Sequence, residues 1–148
     1  MTEPRSRDAR AARVVAFFEG MSPEDLPRIG ELYAAGASFK DPFNEVEGVP
    51  AIRAVFEHMY RALETPRFVV CAVVCEGDQC FLTWDFLFRF KRISPEVDQV
   101  VRGATHLCFG ADGRIEMHRD YWDAAEELYQ KLPAVGVLMR WLKRRAST

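Results

Sequence analysis

Four strand-like stretches, Phe68 to Cys75, Cys80 to Lys91, Val97 to Phe109 and Arg114 to Asp123, follow one another with only short breaks. Glu76-Gly77-Asp78, the Ser94-Pro95-Glu96 region and Gly110-Ala111-Asp112-Gly113 supply the turns. Connections this short join antiparallel neighbours, because a parallel pair needs a crossover of a dozen residues or more. The run commits the second half of the chain to an antiparallel meander. Ahead of it the pattern is helical. Asp8 to Glu19 carries Val14, Val15, Phe17 and Phe18 and ends near Gly20. Ser22-Pro23-Glu24-Asp25 is a helix start, with an N-cap serine, an early proline and acids on the dipole. Leu26, Ile29, Leu32 and Tyr33 continue at helical spacing until Gly36. Ala37 to Asp41 is extended, and Gly48-Val49-Pro50 opens a third helix that Pro66 ends. From Asp123 to Arg145 the tail is helical, with a break at Pro133. Helices first, then a meander, then a helix describe an α+β domain whose helices cover one face of a curved sheet.

At 148 residues the chain is expected to form one domain over 8–148, with 1–7 a disordered lead-in. A net charge of -2 gives no field that would draw nucleic acid. The four cysteines lack CxxC or framework spacing and read as free thiols of a reducing cytoplasm. The charged N-terminus has no apolar stretch behind it, so a cytoplasmic protein without signal peptide is expected.

The segment from Arg114 to Asp123 carries the chemistry. Alternate side chains of a strand share a face, so His118, Asp120 and Trp122 point one way and Met117, Arg119 and Tyr121 the other. An imidazole, a carboxylate and an indole on one face suit a pocket. Asp41, Asp85, His118 and Asp120 are the candidate catalytic residues. Burial and neighbouring like charges would separate acid from base among them. Phe17, Phe56, Met59, Tyr60 and Trp122 are the candidate walls for a small hydrophobic ligand. Structural readings stand beside these. Asp41 before Pro42 suits a turn, Asp85 faces solvent if the register slips by one, and Asp120 could pair with an arginine. His118 could be a hydrogen-bonded structural residue, and Asp123 reads as an N-cap. No third ligand at a recognised spacing joins His118 and Asp120, so neither metal nor cofactor is expected. Trp84, Phe86, Phe88 and Phe90 share one strand face, read as an outer apolar surface for a homodimer or helix. Val135, Leu138, Met139, Trp141 and Leu142 beside late bases suit either an interfacial membrane helix or, the favoured reading, a helix covering its own sheet.

Leu32-Tyr33-Ala34, Phe39-Lys40-Asp41-Pro42-Phe43, Gly48-Val49-Pro50-Ala51-Ile52 and Gly113-Arg114-Ile115 through Tyr121-Trp122, in this order, resemble the nuclear-transport-factor-2-like (NTF2-like) superfamily. That superfamily holds ketosteroid isomerases, SnoaL-like polyketide cyclases and limonene epoxide hydrolases. The resemblance implies a cone of curved, mostly antiparallel sheet closed by N-terminal helices. It also implies cofactor-independent acid–base chemistry, or ligand or protein binding alone. Asp41 matches the isomerase base, but Val14 and Thr105 stand where the isomerase oxyanion hole has its donors. Asp120 and Asp85 match the hydrolase acids, with Thr83 in place of the bridging arginine. The cyclase acid on the last strand matches Asp120. Thr83, Thr105 and Trp122 fall, by the same resemblance, at pocket positions.

Overall fold

The computed structural model describes residues 7–91, 95–128 and 133–146. Helix α1 (Ala9–Gly20) starts at Asp8, whose side chain accepts from Arg10 N and Ala11 N. The Arg10 guanidinium beside it holds the Asp8 carboxyl down at about 2. Arg10 also reaches Asp78 Oδ1 at 2.6 Å and the Gly77 carbonyl at 2.8 Å, which ties the start of α1 to a hairpin of the sheet.

The second helix differs from expectation. A 3-10 turn (Pro23–Arg28) gives way to a four-residue α2 (Ile29–Leu32), and the strand β1 (Tyr33–Lys40) begins at once. Pro27 cannot donate inside a longer helix, and Tyr33 is drawn into register with Ile115 instead. After β2 (Glu45–Glu47), α3 (Val49–Ala62) stops before Pro66 because Leu63 already opens β3 (Leu63–Glu76). Strands β4 (Gln79–Phe90), β5 (Gln99–Phe109) and β6 (Ile115–Tyr121) complete the meander. The six strands form one curved, unclosed sheet in the order β2-β1-β6-β5-β4-β3. Only the β1–β6 pair is parallel, so the first strand returns alongside the last. The architecture is the α+β cone that the sequence implied.

Val14, Val15 and Phe18 of α1 and Ile52 and Phe56 of α3 pack on the concave face against Phe39, Val70, Leu82 and Leu107. The Trp84 indole lies over Gly103, its partner across β4 and β5. A Cβ added at Gly103 would stand 2.4 to 2.9 Å from three indole carbons. Gly103→Ala is therefore expected to displace the ring and cost ~1–3 kcal/mol by overpacking. Urea denaturation checks this; an unchanged midpoint would show the indole moves without cost.

Asp123 caps α4 (Ala124–Glu127) by accepting from Glu126 N, as expected. The reading of the tail as cover for its own sheet is corrected. Helix α5 (Pro133–Ala146) exposes Val137, Leu138, Trp141 and Leu142 by 44 to 60%. Helices α1 and α3 already cover the concave face, so the stripe of α5 has no place there. Of the other residues named for that stripe, the side chains of Val135 and Met139 lie outside the described set, as do residues 1–6. No helix among the described residues is long and apolar enough to cross a membrane.

Candidate functional site

Strand β6 sets the site. Phe39 of β1 lies opposite His118, and Leu107 of β5 flanks it on the other side. Residue 118 is consequently 4% exposed. Asp120 lies opposite Thr105. The inward parity of His118, Asp120 and Trp122 is thus the arrangement found.

These side chains form one hydrogen-bonded chain. The Trp84 indole N–H donates to Thr105 Oγ1 at 2.8 Å, and the Thr105 hydroxyl donates to Asp120 Oδ1 at 2.6 Å. His118 Nε2 meets the same Oδ1 at 2.7 Å, and His118 Nδ1 meets the Tyr33 hydroxyl at 2.7 Å. Tyr33 is fully enclosed, so its O–H must donate within this chain, and the acceptor it meets is Nδ1. That assigns a neutral imidazole with its proton on Nε2, directed at the carboxylate. Burial, and then the nearby Asp120 charge, push the Tyr33 phenol well above its ordinary range. With Asp120 as a carboxylate, each contact from Trp84 to Tyr33 pairs one donor with one acceptor. Its second oxygen, Oδ2, has no hydrogen-bond partner among the described residues and is the one left for a ligand.

Asp120 stands where three hollows meet. A deep recess of about 30 Å³, lined by Phe18, Val70, Leu82, Thr105 and His118 among others, lies behind it. In front is a chamber of about 260 Å³ walled by Phe39, Phe56, Met59, Phe68, Trp84 and Phe86 and, toward Asp41, by Phe43 and Trp122. A cleft between Lys40 and Asp123 opens the same region outward. Asp120 is the single described residue that lines all three. Phe43 and Trp122 meet edge to face at 5.5 Å, forming the side of the chamber that borders this cleft.

Other sequence candidates lie elsewhere. Asp85 and Thr83 alternate with Trp84 on β4; because Trp84 looks into the chamber, both face the outer side of the sheet. The same parity corrects the reading of Trp84, Phe86, Phe88 and Phe90 as an outer surface, since all four line the chamber. Asp41 does border the chamber, yet its carboxylate is engaged by the turn it closes. Oδ1 accepts from Phe43 N at 2.7 Å and Asn44 N at 2.6 Å, and the Asn44 amide touches both oxygens. Phe17 packs edge to face on Phe18, which takes the lining place expected of Phe17. Tyr60 also lies outside the lining. Its hydroxyl is buried without a partner among the described residues, and burial, followed by the charges of Asp25 and Glu24, pushes it up to about 12. Among the described residues no three His, Cys, Asp or Glu side chains converge to hold a metal.

The sequence profile of the SnoaL-like domain matches residues 14–118. The chain belongs to the SnoaL-like family. No curated protein matches it. Among solved structures it is similar to a hypothetical protein with a ketosteroid isomerase-like fold from Catenulispora acidiphila DSM 44928, in complex with trimethylamine. That match has 20% identity and a TM-score of 0.72, over 87% of this chain and 97% of the other. A candidate SnoaL-like polyketide cyclase from Shewanella denitrificans OS-217 superposes with a TM-score of 0.68 at 15% identity, covering 82% and 98%. At these identities the structures establish the NTF2-like fold. In this SnoaL-like domain the matched region ends at His118, so Asp120 and Trp122, which complete the chamber, lie just past it. Tyr33, like Trp84, is a member of the chain that sequence reasoning did not place in the site. For Tyr33 the available signal was a tyrosine inside an apolar stripe, since a buried phenol needs a partner.

Proposed function

We propose that this SnoaL-like domain binds a small hydrophobic ligand in the chamber and performs cofactor-independent acid–base chemistry on it through Asp120. The observation that supports this most is the asymmetry of that carboxylate: Oδ1 takes two hydrogen bonds while Oδ2 takes none among the described residues, on a residue that lines the aromatic chamber. A carboxylate so held is oriented before the ligand arrives, with one oxygen left to meet it. Asp120 would take a proton from a carbon beside a carbonyl and return it to another atom of the same ligand. That describes an isomerase or cyclase step. His118, with both nitrogens engaged, orients the carboxylate and is not itself the proton donor. Trp122 lines the chamber and its indole N–H makes no hydrogen bond among the described residues, so it is the donor we assign to the ligand's oxygen. The chamber is slightly smaller than the ~300–1,000 Å³ of ordinary ligand pockets, which favours a one- or two-ring molecule over a steroid.

Ligand charge follows from the lining. Asp41 and Asp120 border the chamber and no lysine or arginine among the described residues does. A neutral or cationic ligand is thus favoured over an anion, in keeping with the trimethylamine held by the Catenulispora protein. Of three matched probes, benzyl alcohol and benzylamine are expected to bind at least about tenfold more tightly than benzoate, a difference of ~1.4 kcal/mol. Isothermal titration checks this, and preferential binding of benzoate would contradict the proposed polarity. Catalysis itself is tested with 5-nitrobenzisoxazole, a neutral aromatic carbon acid whose ring opens with a colour change when a base removes its proton. Turnover above the buffer rate supports an active carboxylate. Saturable binding without turnover would instead assign the chamber to ligand holding alone.

A further inference from the structure

The β3–β4 hairpin carries two thiols that the chamber does not use. Cys75 and Cys80 are direct cross-strand partners, one step in from the closing pair Glu76 and Gln79. Only Gly77 and Asp78 lie between the strands, and Gly77 has φ 58°, at the first central position where a type II′ turn requires it. In a two-residue hairpin the closing pair exchanges its backbone hydrogen bonds, so the next pair inward is a non-hydrogen-bonded one. Such pairs hold their Cα atoms ~4.5 Å apart and their side chains at closest approach. That spacing lies inside the ~4.4–6.8 Å range of disulfides. Cys75 Sγ stands 3.1 Å from Cys80 Sγ, so closing to the ~2.05 Å of a covalent bond needs about 1 Å of travel. The turn is short and Arg10 braces it from α1, so the two sulfurs have little freedom to separate.

We propose that Cys75 and Cys80 form a reversible intramolecular disulfide across this hairpin when a two-electron oxidant of the hydrogen peroxide class is present. Cys75 is half-buried and Cys80 fully enclosed, so the oxidant reaches Cys75 first. The Cys75 thiolate attacks one peroxide oxygen, the O–O bond breaks, and the departing hydroxide gains a proton to become water. Cys75 is left as a sulfenic acid. Cys80 then gives up its proton and attacks the Cys75 sulfur. The S–S bond forms as the S–O bond breaks, and a second water leaves. Two thiols have lost two electrons and two protons, and one peroxide has become two waters. The other cysteines cannot substitute. Cys108 lies on the opposite side of the sheet against Gln79 Oε1, at 3.1 Å. Cys71 is exposed beside the register shift in β3, roughly 13 Å along the strand from Cys75. The pair is also roughly 13 Å along β4 from Trp84, so its oxidation leaves the Asp120 site intact and is independent of the function proposed above.

The full-length Cys71→Ser/Cys108→Ser chain isolates the pair. Treated with hydrogen peroxide, unfolded and exposed to a maleimide, it is expected to be a monomer lighter by two hydrogens that takes up no maleimide. Dithiothreitol restores two reactive thiols. Adding Cys80→Ser should leave a Cys75 sulfenic acid that dimedone captures. If the double variant does not fold, peptide mapping of the oxidised wild-type chain should show Cys75 linked to Cys80. The proposal is overturned if oxidation leaves both thiols reactive, adds oxygens without a crosslink, or yields disulfide-linked dimers.

Discussion

Asp120→Asn is expected to lower turnover of 5-nitrobenzisoxazole by roughly 10²–10⁴-fold while leaving the thermal midpoint and the affinity for benzyl alcohol nearly unchanged. The substitution suits the geometry. Asparagine keeps an oxygen where Oδ1 accepts from Thr105 and His118, so the supporting chain from Trp84 to Tyr33 survives. What it replaces is Oδ2, the oxygen without a hydrogen-bond partner among the described residues, with an amide nitrogen that cannot take a proton. A variant that lost activity by unfolding would also lose benzyl alcohol binding, which separates the two causes. The companion change Asp85→Asn should have no effect, because Asp85 faces the outer side of β4. Full activity in Asp120→Asn would move the chemistry elsewhere, with Asp41 next in line.

The contrast between Asp120 and Asp85 shows what the sequence could carry. Along β6 the parity was readable, because His118, Asp120 and Trp122 alternate with Arg119 and Tyr121, which water accepts more readily. Along β4 both faces are apolar: Phe81, Leu87 and the stem of Arg89 on one, Leu82, Trp84, Phe86 and Phe88 on the other. Period two fixes which residues share a face, and only the register with neighbouring strands fixes which face is inside. Placing Asp85 in the chamber required the four rings to be outside, and Thr105 opposite Leu82 settles it the other way. Gly103 was a local signal for the same answer, since a glycine inside a strand often marks a close approach, here by the Trp84 ring. Tyr33 was hidden for a different reason. Its helical spacing from Ile29 is real, and the strand it begins is decided by parallel pairing with β6, more than 80 residues away in sequence. Asp41 was located correctly at the chamber's edge; its role as a turn closer depends on Asn44, whose amide no spacing rule would have pointed toward it.

Tyr33 and His118 are expected to show strong coupling in a double-mutant cycle. Tyr33→Phe leaves Nδ1 of an imidazole that is 4% exposed without its hydroxyl, and His118→Leu leaves the enclosed phenol without an acceptor. Each single change strands one buried polar group, at ~1–3 kcal/mol. The double variant strands neither of that pair, so its loss should fall short of the sum by an interaction energy of ~0.5–3 kcal/mol. Urea unfolding of the four proteins measures it. Additive losses would mean that the 2.7 Å contact contributes nothing of its own. Alkaline titration supplies an independent reading of the same contact. The folded phenol is pushed above its usual value of 10.0 by burial and by the Asp120 charge. As pH rises past ~10 the unfolded chain therefore gives up this proton before the folded one does. The stabilisation is whole below that pH and declines above it, until the folded phenol ionises too. Tyr60, also raised by burial, adds a similar decline that both proteins share. The difference between wild type and Tyr33→Phe isolates Tyr33, and wild type should lose more stability than the variant between roughly pH 9 and 11. Parallel curves would show that the phenol at 33 ionises as easily in the fold as in water, and the neutral imidazole that orients Asp120 would lose its physical basis.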